Sequence, residues 1–203
     1  MTIFAVRGPD TLQTLQKSRQ KSNLTLLDNS TVAFGDPGIL LDYLDMSSGS
    51  CRTQNFRQCE NQFCLVPHGR DQEKFIKKAV NEANLKRFDP FVTWDVMVTQ
   101  LESCQYVLCR SLHCIILSDA MRIPNVFFQF PNTTNKEPIH KYKDYYAMFG
   151  ISAMEMPYFE DVALATKYLQ GDKHVQLQHH QTRINDLYDS FPLFLFEEQK
   201  ASN

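Results

Sequence analysis

The chain alternates short apolar runs with longer segments in which apolar residues recur at helical spacing. The four-residue runs at 63–66 and 106–109 are typical of buried strands. The segment after the first run carries an apolar stripe at helical spacing: Phe75, Ile76, Ala79, Val80 and Ala83. Strands separated by helices of this length form parallel sheets with right-handed crossovers. The pattern therefore predicts an α/β fold, with a Rossmann-like parallel sheet flanked by helices.

Weaker signals refine the element boundaries. Short strands are predicted at 3–6, 32–34, 91–92 and 125–130. Helices are predicted near 143–149, 160–170 and 182–190, with Gly171 as a helix stop. Four polar residues precede apolar stripes and are predicted to cap helices: Asp10, Asp71, Thr93 and Ser111.

Composition and charge exclude several classes of protein. The 21 basic and 23 acidic residues give a net charge of −2, which argues against a general nucleic-acid binder. No apolar run approaches the roughly 18 residues of a membrane span, and the first residues lack the layout of a signal peptide. We therefore expect a cytoplasmic protein. Cys64, Cys109 and Cys114 lie in apolar runs and are predicted to be small buried residues. Neither the cysteines nor His179 and His180 have the spacing of a metal site, so none is predicted.

The candidate chemistry lies where strands end, because ligands of parallel sheets bind beyond the carboxyl ends of the strands. Arg7, His68 and Arg110 each follow a predicted strand closely. Ser111 begins the next helix, and the free N–H groups of a helix start attract phosphate. Arg110 adds a charge with bidentate geometry, and His113 in the first turn can exchange protons near neutral pH.

Each of these residues has a structural alternative. His113 is alternatively a histidine that hydrogen-bonds a neighbouring loop, Arg7 a surface arginine at a turn, and His68 a polar residue that ends a strand. Lys141 lies in the basic and aromatic cluster at 140–146. Most such clusters are solvated faces, and the net charge disfavours nucleic acid as a partner.

An ordered series of motifs resembles the polysaccharide pyruvyl transferase family. The series begins with VRGPDT at 6–11, GDPGILL at 35–41 and VPHGRD at 66–71. It continues with SLHCIILSDA at 111–120, KYKDY at 141–145 and LYDSFP at 187–192. Motifs in this order span nearly the whole chain, which makes the resemblance fairly specific.

The resemblance implies a two-domain enzyme similar to GT-B glycosyltransferases, with its active site between two Rossmann-like domains. The family transfers pyruvate from phosphoenolpyruvate to a saccharide as a ketal, which implies a donor substrate and no cofactor. By resemblance His113 is the catalytic acid or base, Arg7 binds the donor, and Lys141 helps to hold it. Together with their strand-end positions, this makes Arg110, Ser111 and His68 further predicted substrate-binding residues. The implied acceptor is a saccharide or a lipid-linked saccharide.

The sequence departs from the family pattern in three respects. Cys114 stands where the family has glycine after the histidine, and its side chain is expected to crowd the backbone near the donor. Many members have arginine two residues before the histidine, where this chain has Ser111, and Arg110 is one residue away from that position. The RGP and GDP motifs lie near the end of the first domain in the family, whereas this 203-residue sequence begins close to them.

We therefore expect the tail of an N-terminal domain at 1–45, a linker or surface loop at 46–62, and a C-terminal donor-binding domain at 63–203. The middle range is rich in serine and charged residues and has almost no apolar ones. Under this interpretation most of the N-terminal domain is missing, and a partner chain is one way of supplying it. Two alternatives stay open: a truncated, non-catalytic relative that serves as a binding or scaffold module, and a GT-B-type glycosyltransferase that uses a nucleotide-sugar.

Overall fold

The computed structural model describes residues 5–26, 33–34, 62–131, 133–134 and 136–171. In chain order the elements are β1 (Ala5–Val6), α1 (Pro9–Lys21), β2 (Ala33–Phe34), β3 (Phe63–Val66), α2 (Glu73–Ala83), β4 (Lys86–Arg87), α3 (Trp94–Glu102), β5 (Tyr106–Cys109), α4 (Leu112–Ala120), β6 (Asn125–Phe128), α5 (His140–Met148), β7 (Tyr158–Phe159) and α6 (Val162–Gln170). Several predicted features lie outside the described residues: the motifs at 35–41 and 187–192, the loop up to residue 61, the helix at 182–190, and the histidine pair at 179–180.

The chain divides into two compact units. Among the described residues, the first unit contains 5–26, 33–34 and 140–155, and the second contains the rest. The segment 140–155, which we expected within a continuous C-terminal domain at 63–203, thus groups with the N-terminal segment instead.

The second unit is built on a five-stranded sheet in the order β4-β3-β5-β6-β7, with every neighbouring pair parallel. In the register of β3 with β5, Phe63 lies opposite Tyr106 and Val66 opposite Cys109. This confirms the predicted α/β fold with a parallel sheet and flanking helices. The strand order reverses between β3 and β5, and doubly wound sheets bind ligands at such a point.

Both faces of this sheet are covered, which explains why β3 and β6 are buried along their whole length. On one face, apolar residues of the sheet form a core with α2 and α6: Phe63, Leu65, Ile76, Ala79, Leu85, Leu108, Val126, Phe128, Phe130, Ala165 and Leu169. On the other face, α4 packs against β5 and β6. Seven of the nine residues of α4 are buried, as expected for a helix whose sequence is apolar nearly all round.

The first unit contains a two-stranded parallel sheet, β1 with β2, and two helices in contact, α1 and α5. Helix α1 begins at Pro9, whose fixed φ angle suits the first helical position. The cap of α1 is therefore Gly8, and the prediction that Asp10 caps this helix was wrong.

Two other local predictions were wrong, and two were confirmed. The strand expected at 91–92 lies instead at Lys86–Arg87, where the backbone pairs with β3. Asp71 does not cap α2, because Gln72 occupies the cap position. Thr93 and Ser111 occupy the cap positions of α3 and α4, as predicted, and the side chain of Ser111 also accepts a hydrogen bond from the start of its helix.

Candidate functional site

The loop that follows β3 is folded around the carboxylate of Asp71. The backbone N–H of His68 donates to Asp71 Oδ2 at 2.7 Å, and the N–H of Asp71 donates to the carbonyl of His68 at 2.8 Å. These two bonds close a tight turn directly beyond the carboxyl end of a central strand. Asp71 is therefore oriented by its own loop before it meets any other element.

Arg110, the first residue after β5, meets this carboxylate from the neighbouring strand. Its Nε donates to Asp71 Oδ2 at 2.9 Å and its Nη2 to Asp71 Oδ1 at 2.5 Å. The third donor, Nη1, bonds the carbonyl of Phe128 at 3.1 Å, and the guanidinium lies 5.2 Å from the ring centre of Phe130. Both charged side chains are almost completely buried. We expected the bidentate partner of Arg110 to be a phosphate, but it is a carboxylate of the same chain. Through these bonds Arg110 connects the β3 loop to the ends of β5 and β6.

His113 lies in the first turn of α4, just beyond Ser111. The hydroxyl of Ser111 accepts from the N–H of Cys114 at 3.2 Å and so caps the helix, which fixes where the first turn begins. The side chain of His113 is exposed, and it has no hydrogen-bond partner among the described residues. The structural alternative for His113, a hydrogen bond to a neighbouring loop, is therefore not seen in the described part of the chain.

Cys114, the residue after His113, is directed into the protein interior. Its side chain is buried and forms a disulfide with Cys109 at the end of β5. A second disulfide joins Cys64 to Cys104. The cysteines are buried as predicted, but they are paired rather than independent apolar side chains. The side chain of Cys114 thus packs against the sheet through its bond to Cys109.

His68 is held through both ring nitrogens. Its Nδ1 accepts from the N–H of Arg70 at 3.1 Å, so the proton of the neutral ring lies on Nε2. Nε2 faces Oε1 of Glu137 at 3.2 Å, and Glu137 is itself buried. His68 thus links the β3 loop to the segment after β6, and both of its nitrogens are engaged within the protein.

A further polar cluster follows β6 and β7. Glu160 accepts hydrogen bonds from Lys136, at 2.7 Å, and from the hydroxyl of Tyr158. Burial, with the hydrogen bond and charge of Glu160, raises the pKa of Tyr158 well above its ordinary value of 10.0, against a smaller opposing effect of Arg110. The hydrogen bond from Lys136 is the main cause that lowers the pKa of Glu160. Tyr158 therefore stays a hydrogen-bond donor throughout the physiological range.

The other two predicted site residues lie in the first unit. Arg7 directly follows β1, and its Nε is buried without a hydrogen-bond partner among the described residues. Lys141 lies on α5, with Nζ 5.2 Å from the ring centre of Tyr142. Asp144, one turn further along α5, bonds the start of α1, the helix that follows Arg7.

The structure thus assigns Arg7 and Lys141 to one unit, and His68, Arg110, Ser111 and His113 to the other. The partners of these residues were not found by sequence reasoning. Asp71 and Asp144 belong to recognised motifs, which was an available signal, whereas nothing in the sequence marks Glu137. In the described residues no group of histidine, cysteine or acidic side chains converges as a metal site. No helix of the described chain has the length and apolarity needed to cross a membrane.

Comparison with known proteins identifies the family to which this chain belongs. The family model described as polysaccharide pyruvyl transferase matches residues 2–129, which extend from β1 to the end of β6. The chain therefore belongs to the polysaccharide pyruvyl transferase family. An uncharacterized protein of Acanthamoeba polyphaga mimivirus is 28% identical over 128 residues, a stretch that covers 61% of this chain and 42% of the viral protein. The match thus spans less than half of that relative's length. No solved structure shows a significant match.

Proposed function

We propose that this protein transfers pyruvate from phosphoenolpyruvate to a saccharide, with His113 as the proton donor. The observation that carries the proposal is the exposed imidazole at the start of α4, beyond the carboxyl end of β5, where the strand order reverses. Family membership supports the reaction class, and the matched range includes His113 and Arg7. Lys141 lies beyond that range, so its role rests on the motif at 141–145.

The proposed reaction needs one proton donor and several positive charges. Protonation of the methylene carbon of phosphoenolpyruvate by His113 makes the adjacent carbon electrophilic. A saccharide hydroxyl then forms a bond to that carbon and loses its proton, which restores the proton on the imidazole. The bond to the phosphate oxygen breaks, and phosphate leaves. A second hydroxyl adds to the same carbon and gives its proton to the departing phosphate, which closes the ketal.

In this proposal the negative charges of the donor bind to Arg7 and Lys141. Phosphoenolpyruvate carries a carboxylate and a phosphate, both of which pair well with guanidinium and ammonium groups. The fully engaged Arg110 and His68 instead hold the loops around the site. The acceptor is proposed to be a saccharide or a lipid-linked saccharide in the cytoplasm, in a pathway that modifies an exopolysaccharide or another glycan.

The test separates donor binding from turnover. Phosphoenolpyruvate at 100 times its Kd is expected to stabilise the wild-type chain by about 2.7 kcal/mol in thermal denaturation. Arg7→Ala should abolish this stabilisation. His113→Gln should keep most of it but lower the rate of ketal formation by roughly 10² to 10⁴, the usual contribution of a general acid. His140→Gln, another exposed histidine, is the matched control.

Three results would contradict the proposal. If phosphoenolpyruvate does not stabilise the protein, the donor is wrong. Stabilisation by a nucleotide-sugar alone would favour a glycosyltransferase. If phosphoenolpyruvate binds but mass spectrometry finds no ketal on any saccharide tested, the chain is a binding module rather than an enzyme.

A further inference from the structure

The start of α1 is held by a carboxylate that comes from a different helix. Asp144 of α5 is almost fully buried, and its Oδ1 accepts from the N–H of Asp10 at 2.7 Å and from the N–H of Thr11 at 3.3 Å. The hydroxyl of Thr11 donates to the other oxygen, Oδ2. A negative charge at a helix start satisfies its free N–H groups and interacts favourably with the helix dipole. The first turn of α1 is therefore attached to α5 at one defined position.

The backbone at Gly8 lies unusually close to Asp144. A Cβ at Gly8 would lie 2.1 Å from the carbonyl oxygen of Asp144 and 2.5 Å from its Oδ1. Since no side chain fits in that space, the backbone at Gly8 lies directly against α5. The position of Arg7, the next residue toward the N-terminus, is thus set by the contact between Gly8 and Asp144.

Arg7 is left with unused hydrogen-bonding capacity. Its Nε is buried and has no hydrogen-bond partner among the described residues. Burying a donor without an acceptor is unfavourable, and native proteins rarely retain one without a reason. Asp144 does not supply the acceptor, because its described bonds go to the first turn of α1.

We infer that Asp144 is a positioning residue for Arg7: by bonding Asp10 and Thr11 it holds the guanidinium where an anionic ligand supplies the missing acceptor. The inference rests on the proposed function, in which that anion is phosphoenolpyruvate. Lys141 lies one turn before Asp144 on α5. The helix that positions the arginine thus also carries the second predicted cation.

Thr11→Val tests the inference with little change in volume, because it removes the hydroxyl that bonds Asp144. We expect the Kd and KM for phosphoenolpyruvate to rise roughly tenfold, equivalent to about 1.4 kcal/mol, while kcat changes little. Thr11→Ser restores the hydroxyl and should restore both constants. Thr166→Val removes a helical threonine hydroxyl in the other unit and is the matched control for stability. Asp144→Asn is the second variant if Thr11→Val does not fold.

A chemical-labelling measurement without phosphoenolpyruvate tests the positioning of Arg7 independently of the proposed function. Phenylglyoxal modifies arginine side chains, and peptide mass spectrometry reports the rate at Arg7 relative to the exposed Arg87 in the same sample. We expect this ratio of labelling rates to change at least threefold in Thr11→Val, because the guanidinium of Arg7 would lose its fixed position. In Thr11→Ser the ratio should return to the wild-type value.

The binding and labelling results test the inference and the proposed function separately. If the wild type binds phosphoenolpyruvate and Thr11→Val binds it equally well, the inference is wrong and the proposed function stands. If the wild type does not bind phosphoenolpyruvate, the proposed function is wrong, and the labelling ratio decides the inference. An unchanged ratio in Thr11→Val overturns it, and a changed ratio that Thr11→Ser restores supports it.

Discussion

The buried pair of Asp71 and Arg110 provides the sharpest test of how the β3 loop is held. We consider Asp71→Asn, which removes the negative charge at nearly constant volume. Arg110 is then left as an unpaired charge, in a site where the side chains are 0% and 1% exposed. Breaking a buried pair from one side costs about 3–5 kcal/mol. That loss is a large fraction of the 5–15 kcal/mol by which domains are usually stable.

The chain contains its own control for this effect. Glu73 and Arg87 are joined at 2.6 Å, nearly the same distance as the buried pair, but their side chains are 49% and 41% exposed. Exposed pairs contribute about 0–1 kcal/mol because water screens the charges and the side chains lose entropy. Glu73→Gln should therefore cost less than about 1 kcal/mol.

Urea unfolding followed by tryptophan fluorescence is a suitable assay. The single tryptophan, Trp94, lies in α3 of the same unit as both pairs, so its signal reports on the unit that changes. With a slope of about 2 kcal/mol per molar urea, Asp71→Asn should lower the midpoint by about 1.5–2.5 M. Glu73→Gln should lower it by less than about 0.5 M.

Equal midpoints for the two variants would refute the reasoning from burial. A double variant, Asp71→Leu with Arg110→Met, gives a second check. Replacing a buried ion pair with apolar side chains is often neutral or stabilising. The double variant should therefore be more stable than Asp71→Asn. A larger loss would show that the hydrogen bonds of Arg110 matter more than its charge.

Three further predictions concern packing, pH and disulfides. Gly8→Ala should destabilise the protein by about 1–3 kcal/mol in thermal denaturation, because the added carbon overlaps the backbone of α5. Tyr158 has a raised pKa in the folded state, so its contribution to stability is complete below pH 10 and is lost as the pH rises toward the folded value. The urea midpoint should therefore fall as the pH rises above about 10, and Tyr158→Phe should reduce that fall. Cys104→Ser opens the link to Cys64, a separation of 40 residues, and should lower the free energy of unfolding by roughly 4 kcal/mol.

Each of these predictions has its own contrary result. Gly171→Ala is the control for packing, since the nearest atom to its added carbon is 3.4 Å away. Equal melting temperatures for the two alanine variants would contradict the packing argument. An unchanged pH dependence in Tyr158→Phe would assign the high-pH loss to other groups. Alkylation of Cys64 and Cys104 in the unreduced wild type would show that these cysteines are not paired.

The parts of the fold that local pattern could predict are those whose cause lies within a few residues. The buried runs at 63–66 and 106–109 are strands, because each is a short apolar stretch bounded by polar residues. Ser111 caps α4 by a bond three residues along the chain, and this is why a cap preference predicted it correctly. Motifs read in order along the chain indicated the family, which the match over residues 2–129 confirms.

Local sequence pattern did not predict the partner of a charged residue where several oppositely charged or polar groups could serve. Asp71 looks like a helix cap, yet its carboxylate pairs with Arg110, 39 residues away, because the parallel pairing of β3 with β5 brings the two strand ends together. The same pairing gives Arg110 a carboxylate where the sequence suggested a phosphate. Asp144 lies 134 residues from Asp10, a separation that no helical or strand period can report.

The sequence by itself determined the class of fold, the family, and the order of the described strands and helices except β7, which no apolar run had predicted. These features follow from local apolar periodicity and from motifs read in order. The tertiary structure alone decided which polar groups satisfy each other and which have no partner among the described residues. Arg110 and His68 are engaged within the protein, whereas His113 is exposed and the buried Nε of Arg7 has no hydrogen-bond partner in the part of the chain that the structure describes. The physical reason is that a buried charge takes whichever opposite group the packing of strands and helices brings within reach, and that distance is unrelated to separation along the chain.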